Sequence, residues 1–218
     1  MPTMSVENYL KTIYNLQSST TRVSTKELAA ALGVSQPSVT SMLQSMSNEG
    51  LVEYRPYRGA ILNEQGERMA LQVIRKHRLI EMFLVETLGY SWDEVHDEAE
   101  ALEHAISDLL AERIDTFLGH PQFDPHGDPI PTADGHVHHR DVIPLHEVVP
   151  DMRVRVARVL DQAPDVLRHL TSLGIVPHVE VKVLKVLPFD GQMTILVEGS
   201  EVQISRTLAS RLVVMESK

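Results

Sequence analysis

The 218-residue chain contains no cysteine, which excludes disulfides, iron–sulfur clusters and thiolate zinc sites, so any metal is expected to use nitrogen and oxygen ligands. Long apolar runs are also missing, and none approaches the roughly 20 residues that span a bilayer. The opening segment Met1-Pro2-Thr3-Met4-Ser5-Val6-Glu7 has no basic stretch followed by an apolar core and does not read as a secretory signal. These absences predict a cytoplasmic protein with no membrane partner. What is present is a hydrophobic content of 43%, enough at this length to bury a real core and to supply more than one domain.

Positive charge is short overall, with a formal net charge of −10, but the deficit is local. Residues 1–75 carry seven Lys/Arg against six Asp/Glu, residues 76–145 four against fifteen, and residues 146–218 nine against nine. An acidic chain is a poor general nucleic-acid binder. That objection applies to the middle third alone, and cations bound there would weaken it.

The first third reads as three helices and a hairpin. Residues 6–16 place Leu10, Ile13, Tyr14 and Leu16 near one helical face, and Ser18-Ser19-Thr20-Thr21 breaks the helix. Ser24 or Thr25 caps a second helix that turns Leu28, Ala29 and Leu32 inward and ends at Gly33. A third opens at Ser35 with Pro37 in its first turn and buries Val39, Met42, Leu43 and Met46. Helix, glycine turn, helix is the helix-turn-helix pattern. Its second helix presents Ser35, Gln36, Pro37, Ser38, Thr40 and Ser41, with Gln44 a turn further on, mostly short polar groups suited to base edges and phosphates in a major groove. Two short strands around Arg55-Pro56-Tyr57-Arg58-Gly59 make a wing, with Arg55 and Arg58 available to phosphates or the minor groove.

The acidic middle carries the candidate metal ligands. His77 and Glu81 stand four residues apart; His96, Glu100, Glu103 and His104 follow offsets of four, seven and eight, one face of a helix if the whole run is helical. Taken alone, either pattern fits a solvated acidic face, with Leu102, Ile106 and Leu109 opposite. Two His/Glu pairs on helices able to pack together point instead to a metal centre, and such donors suit Mn2+ or Fe2+, with Zn2+ and Cu2+ as competent intruders. The same helices hold Leu79, Ile80, Phe83 and Leu84, with Gly89 as a stop and Ser91 capping a successor that contains Trp92 and Val95. Their surplus apolar faces fit either an internal core or a homodimer interface.

From residue 120 to 144 the composition shifts to Pro, Gly, Asp and His, a loop or linker in which His136, His138 and His139 are either solvated or a second metal site. Alternation resumes at Arg153–Val159, a helix is predicted over residues 164–173, and further strands over residues 179–183, Met193–Val197 and residues 201–204. A small, mostly β barrel closes the chain.

Four runs, Glu7-Asn8-Tyr9-Leu10-Lys11-Thr12-Ile13-Tyr14, Arg75-Lys76-His77-Arg78-Leu79, His96-Asp97-Glu98-Ala99-Glu100-Ala101-Leu102-Glu103-His104 and Asp124-Pro125-His126-Gly127-Asp128-Pro129-Ile130-Pro131, occur within this order of elements. With them the chain resembles, over nearly all its length, the diphtheria toxin repressor family of iron and manganese regulators. The resemblance implies a mainly α fold with a small β part: a winged helix-turn-helix DNA-binding domain over residues 1–75, a helical metal-binding and dimerisation domain over 76–141, and an SH3-like, FeoA-like β barrel over 142–218. It implies an ancillary metal site of His77, Glu81 and His96, completed from the terminal domain near Asp161, Gln162 and Asp165. It implies a regulatory site of Asn8, Glu100, Glu103 and His104. Iron-type members carry a sulfur residue at the positions matching Asn8 and Glu100, and manganese-type members carry carboxylates. Here Glu100 is of the manganese kind, Asn8 is of neither, and Lys11 stands where manganese-type members can offer another carboxylate. Oxygen in place of sulfur hardens the site, which favours Mn2+, with Fe2+ as the alternative.

The function so implied is that of a homodimeric regulator of metal homeostasis that reads two half-sites of a palindromic DNA operator. The metal would be its allosteric effector, tying the DNA-binding unit to the dimerisation helices, and the output would be repression of metal-uptake genes. A metalloenzyme is the competing class, but there is no His-Glu-x-x-His pattern and no recognisable nucleophile–base motif. No catalytic residue is assigned, and the protein is expected not to be an enzyme.

Overall fold

The computed structural model describes residues 3–17 and 21–217. They divide into two compact units: one holds the described residues up to His77 together with Glu103–Ile106 and Pro131–His136, the other holds Arg78–Leu102, Ser107–Ile130 and the chain from Val137 onward.

In the first unit, α1 (Met4–Gln17) buries Val6, Tyr9, Leu10 and Ile13, the three- and four-residue spacing of one helical stripe. Ser18, Ser19 and Thr20, expected to end it, lie outside the described residues. Helix α2 (Thr25–Leu32) starts in a capping box: the Ser24 hydroxyl accepts from the Glu27 N–H at 3.2 Å, and the Glu27 carboxylate accepts from the Ser24 N–H at 2.7 Å. It stops at Gly33, whose φ of 65° is the left-handed value that glycine tolerates best. Helix α3 (Gln36–Asn48) is capped by Ser35 and carries Pro37 in its first turn. Strands β1 (Val52–Arg55) and β2 (Gly59–Leu62) pair antiparallel, and Val23 bridges to Ala60. That bridge demands glycine at 59, because φ is +85° and a Cβ would sit 2.4 Å from the Val23 carbonyl oxygen. Leu10, Ile13, Leu28, Val39, Leu43 and Met46 are completely buried, each worth roughly 1.5–3 kcal/mol in transfer free energy. They hold the helix-turn-helix against α1.

Helix α4 (Glu64–Leu88) begins in this unit and continues into the second, where α5 (Val95–Leu102) and α6 (Asp108–Phe117) follow. One expectation changes here: the run from His96 to His104 is not a single helix. Helix α5 ends at Leu102, and Glu103 and His104 lie in the turn that leads to Ser107, the N-cap of α6. The side chains of Glu103 and His104 are engaged by α1 and α4 residues of the first unit, which a continued helix face would not allow.

The closing module of the second unit is a six-stranded antiparallel sheet built from β3 (Ile143–Pro144), β4 (Arg153–Val159), β5 (Glu180–Val186), β6 (Met193–Val197), β7 (Ser200–Ile204) and β8 (Leu212–Glu216), in the spatial order β3-β8-β4-β5-β6-β7. Register shifts at Val156/Arg158 and Val183/Lys185 bend the strands. Helix α7 (Pro164–Ser172) and the short α8 (Arg206–Ala209) cover a core that includes Val154, Leu167, Leu170, Ile195 and Val214.

The segment expected to be a solvated linker is not uniformly so. Asp124, His126 and Asp128 are among the few polar side chains that are buried. Gly127 packs against β4 so closely that a Cβ would meet the Ala157 carbonyl oxygen at 2.0 Å. His139 of the linker is exposed, as solvation predicts.

Candidate metal centre and DNA interface

Within the first unit, α1 brings Glu7, Asn8 and Lys11 to one face, because positions three and four apart share a side of a helix, and the turn at Glu103–Ile106 meets that face. His104 directs Nδ1 at Glu7 Oε2 (2.5 Å) and Nε2 at Asn8 Oδ1 (2.6 Å). The same Nε2 lies 3.1 Å from Glu103 Oε1. Glu103 is almost wholly buried; its other oxygen takes His77 Nδ1 at 2.5 Å, and Lys11 Nζ reaches both oxygens at 2.8 Å. Burial pushes the Glu103 carboxyl up, but the bonds from His77 and Lys11 outweigh it and hold the pKa below the usual value. The group is a carboxylate at neutral pH.

A neutral imidazole donates from one nitrogen only. If the Glu7 carboxylate accepts Nδ1–H, the Nε2 lone pair faces the Asn8 amide and a Glu103 oxygen, a contact made favourable by turning the amide to donate Nδ2–H, by a proton on Nε2 or by a metal ion. Imidazole nitrogen with amide and carboxylate oxygens is a donor set for a divalent first-row metal, and a carboxylate on the second imidazole nitrogen is how ligating histidines are oriented. The residues therefore fit a metal.

The second unit holds a separate cluster. Glu81, Asp124 and His126 are all buried, with ligand atoms within 4.8 Å of one another. His126 Nε2 donates to the Trp92 carbonyl at 2.7 Å; among the described residues Nδ1 has no hydrogen-bond partner and lies 3.8 Å from Glu81 Oε2 and 4.0 Å from Asp124 Oδ1. A buried imidazole nitrogen facing two carboxylates is a donor set that fits a divalent metal ion. Asp124 is placed by its own turn, accepting from the His126 and Asp128 N–H groups at 2.8 and 2.9 Å. Burial, then the charges of Asp128 and Glu81, push its carboxyl up to about 7. His96 adds Nδ1 at 3.4 Å from Glu81 Oε1, and Glu100 stands 4.0 Å from His96 Nε2.

Asn8, Glu103 and His104 of the expected regulatory set are thus together in one unit, while Glu100 belongs to the other. Glu81 and His96 of the expected ancillary set are adjacent. His77, one helical turn before Glu81, gives its Nδ1 to Glu103. Asp161 accepts from the Ala163 N–H at 3.1 Å and pairs with Arg211, and among the described residues it joins no ligand cluster. Its neighbour Gln162 instead donates to Asp128 at 2.6 Å. Sequence reasoning missed Glu7, Asp124 and His126 as site residues. The first lay beside Asn8 on the same helix face. The other two lay in the Asp124-Pro125-His126-Gly127-Asp128 run, whose turn-rich composition hid their burial.

On the DNA-binding face, Gln36, Pro37, Ser38 and Ser41 are exposed along α3, and Arg55, Tyr57 and Arg58 at the wing. Three of the expected readers have internal duties: Ser35 caps the helix, the Ser38 hydroxyl is hydrogen-bonded to that of Ser35 at 2.8 Å, and the Thr40 hydroxyl donates to the Gln36 carbonyl at 3.0 Å. Arg55 is paired with Glu53 at 2.7 Å. On the helices of the second unit, Leu88, Leu102, Leu109, Leu110 and Phe117 are exposed.

Comparison with known proteins agrees with this division of labour. Residues 1–60 match the N-terminal DNA binding domain of the iron dependent repressors, residues 63–132 their metal binding and dimerisation domain, and residues 143–216 the FeoA domain. The iron-dependent repressor IdeR of Mycobacterium tuberculosis is 30% identical over 209 residues, 90% of each chain. The diphtheria toxin repressor of Corynebacterium glutamicum is 30% identical over 216 residues, 94% of this chain and 93% of that one. A solved manganese-dependent transcriptional repressor in complex with manganese is 41% identical, covers 97% of this chain and 100% of its own, and superposes with a TM-score of 0.88. The fold and sites define a metal-dependent, DNA-binding transcriptional regulator. The chain belongs to the family of iron-dependent and diphtheria toxin repressors, which are regulators and not enzymes. It has a DNA-binding and a dimerisation domain, and among the described residues no helix is long and apolar enough to cross a membrane.

Proposed function

We propose that this chain is a Mn2+-activated repressor, with Fe2+ the alternative ion, which acts in the cytoplasm as a homodimer on a palindromic operator and lowers expression of metal-uptake genes. One observation carries the reading: Asn8, on the first helix of the DNA-binding domain, meets His104 from a turn nearly a hundred residues later, at the imidazole nitrogen that Glu103 also approaches. The regulatory ligands are Asn8, Glu103 and His104, with Glu100 added as the family resemblance implies. The ancillary ligands are Glu81 and His96, with His77 on the same ground, and the buried Asp124 and His126 support extending the set to them. Asp161 would join only by leaving Arg211.

A bound divalent cation would draw these oxygens and the His104 imidazole together. Glu103 and His104 then hold the turn against α1. Asn8 couples that contact to the helix-turn-helix, since α1 shares its buried core with α2 and α3. Ordering α1 in this way narrows the range of spacings that two recognition helices sample and favours the one that matches two half-sites. Hard oxygen donors favour Mn2+ and Fe2+, whereas Zn2+ and Cu2+ bind most nitrogen and oxygen sites more tightly in vitro. Activation, not affinity, therefore identifies the effector. Fluorescence anisotropy of labelled palindromic duplexes should show tight binding in Mn2+, comparable or weaker binding in Fe2+ without oxygen, and loss of binding in chelator. Activation by Zn2+ alone would contradict the manganese assignment.

A further inference from the structure

We propose that Lys11 is a tethered counter-ion of the regulatory site, one that an incoming metal must displace from Glu103, so that this lysine sets the metal concentration at which the protein responds. The proposal rests on the reading of Glu103 and His104 as metal ligands.

Lys11 Nζ lies 2.8 Å from both Glu103 oxygens. The glutamate side chain is 0% exposed and that of the lysine 13%, so the pair is shielded from water and its attraction is little screened. Around the same carboxylate, His77 Nδ1 occupies Oε2 at 2.5 Å, and His104 Nε2 stands 3.1 Å from Oε1. An ion that takes Oε1 together with His104 and Asn8 thus approaches a carboxylate whose charge a lysine already neutralises, and two cations on one buried carboxylate repel. Because Lys11 stands three residues after Asn8 on α1, the backbone keeps it on the ligand face while Asn8 is in place. Only its side chain can withdraw, and a flexible four-carbon stem permits that.

Lys11 could instead serve to position Glu103, and the two roles differ in sign. Removing a competitor tightens metal binding; removing a positioning partner weakens it. Calorimetric titration of the full chain with Mn2+ should show Lys11→Met binding at least about tenfold more tightly than wild type, the charge no longer opposing the ion, and Lys11→Arg binding near wild type. Thermal unfolding in chelator should begin earlier for Lys11→Met, which strands a buried carboxylate, and Mn2+ should raise its midpoint further than in wild type. Equal or weaker Mn2+ affinity in Lys11→Met overturns the proposal. If that variant folds poorly without metal, Lys11→Gln keeps a donor without the charge and is held to the same two outcomes. Glu103→Gln in the same titration separates the proposal from its premise. Wild-type affinity there removes the ligand reading, whereas a large loss there with no tightening in the Lys11 variants removes the lysine proposal alone.

Discussion

His104 and Asn8, 96 positions apart, meet at 2.6 Å through imidazole Nε2 and amide Oδ1. The contact joins the turn after α5 to the first helix of the DNA-binding domain. It leaves the other imidazole nitrogen for Glu7, and each partner makes a different demand on the ring.

Glu7 fixes the tautomer by accepting from Nδ1 at 2.5 Å. Glu7→Ala is therefore expected to weaken Mn2+ binding about 10- to 100-fold, the usual cost of losing a carboxylate behind a ligating histidine. Glu7→Gln should recover part of the loss, since its amide oxygen still accepts. Calorimetric titration measures both, and unchanged affinity in Glu7→Ala would mean that Nδ1 is not the donor.

The exposed start of α3 and the wing should separate by kind of effect. Gln36→Ala should alter base preference at particular operator positions by about 1–3 kcal/mol. Arg58→Ala should weaken all duplexes alike and lower the salt slope by about one. Ser38→Ala and Thr40→Ala should do less, because the Ser38 hydroxyl is bonded to that of Ser35 and the Thr40 hydroxyl to the Gln36 carbonyl. Competition binding over a mutated operator series, repeated at several salt concentrations, distinguishes these outcomes.

Leu109, 67% exposed on α6, is expected at the homodimer interface. Leu109→Glu should raise the dimer dissociation constant at least about tenfold, from lost apolar burial alone, while leaving the far-ultraviolet spectrum unchanged. An unaltered sedimentation equilibrium would place the interface elsewhere.

Asp124 gives a pH signature to the metal-free protein. Its carboxyl is raised from 3.8 to about 7 by burial and by the Asp128 and Glu81 charges, so the folded state holds a proton that the unfolded chain has released. The stability from this group is fully present below the unfolded value and is lost as pH rises through the folded one. In chelator the thermal midpoint of Asp124→Asn should therefore decline less between about pH 4 and 7, the interval from the unfolded to the folded pKa, than that of wild type. Parallel declines would contradict the assignment.

The helix-turn-helix was legible because each boundary has its own local chemistry: Ser24 with Glu27, Gly33, then Ser35 with Pro37. The strands Arg153–Val159 and Met193–Val197 were legible from alternation. The end of α5 was not, since nothing within His96 to His104 breaks a helix; Glu103 and His104 turn away because their partners, Lys11, His77, Glu7 and Asn8, are supplied by distant parts of the chain. Burial of Asp124, His126 and Asp128 was hidden for a similar reason. Their partners Arg78, Arg158, Gln162 and the Trp92 carbonyl are non-local, and a Pro/Gly/Asp run read alone is indistinguishable from a solvated loop. Strand β8, Leu-Val-Val-Met-Glu, carries no alternation and is recognisable only once paired with β4.

The most direct measurement is a Mn2+ titration of operator binding by wild type and His104→Ala, followed by anisotropy, with sedimentation run alongside to show that both remain dimers. If one ion joins Asn8, Glu103 and His104, wild type should pass from negligible to tight binding as Mn2+ is added, and His104→Ala should stay a folded dimer that binds no better in Mn2+ than in chelator. A His104→Ala dimer that retains the wild-type Mn2+ response would contradict the regulatory site.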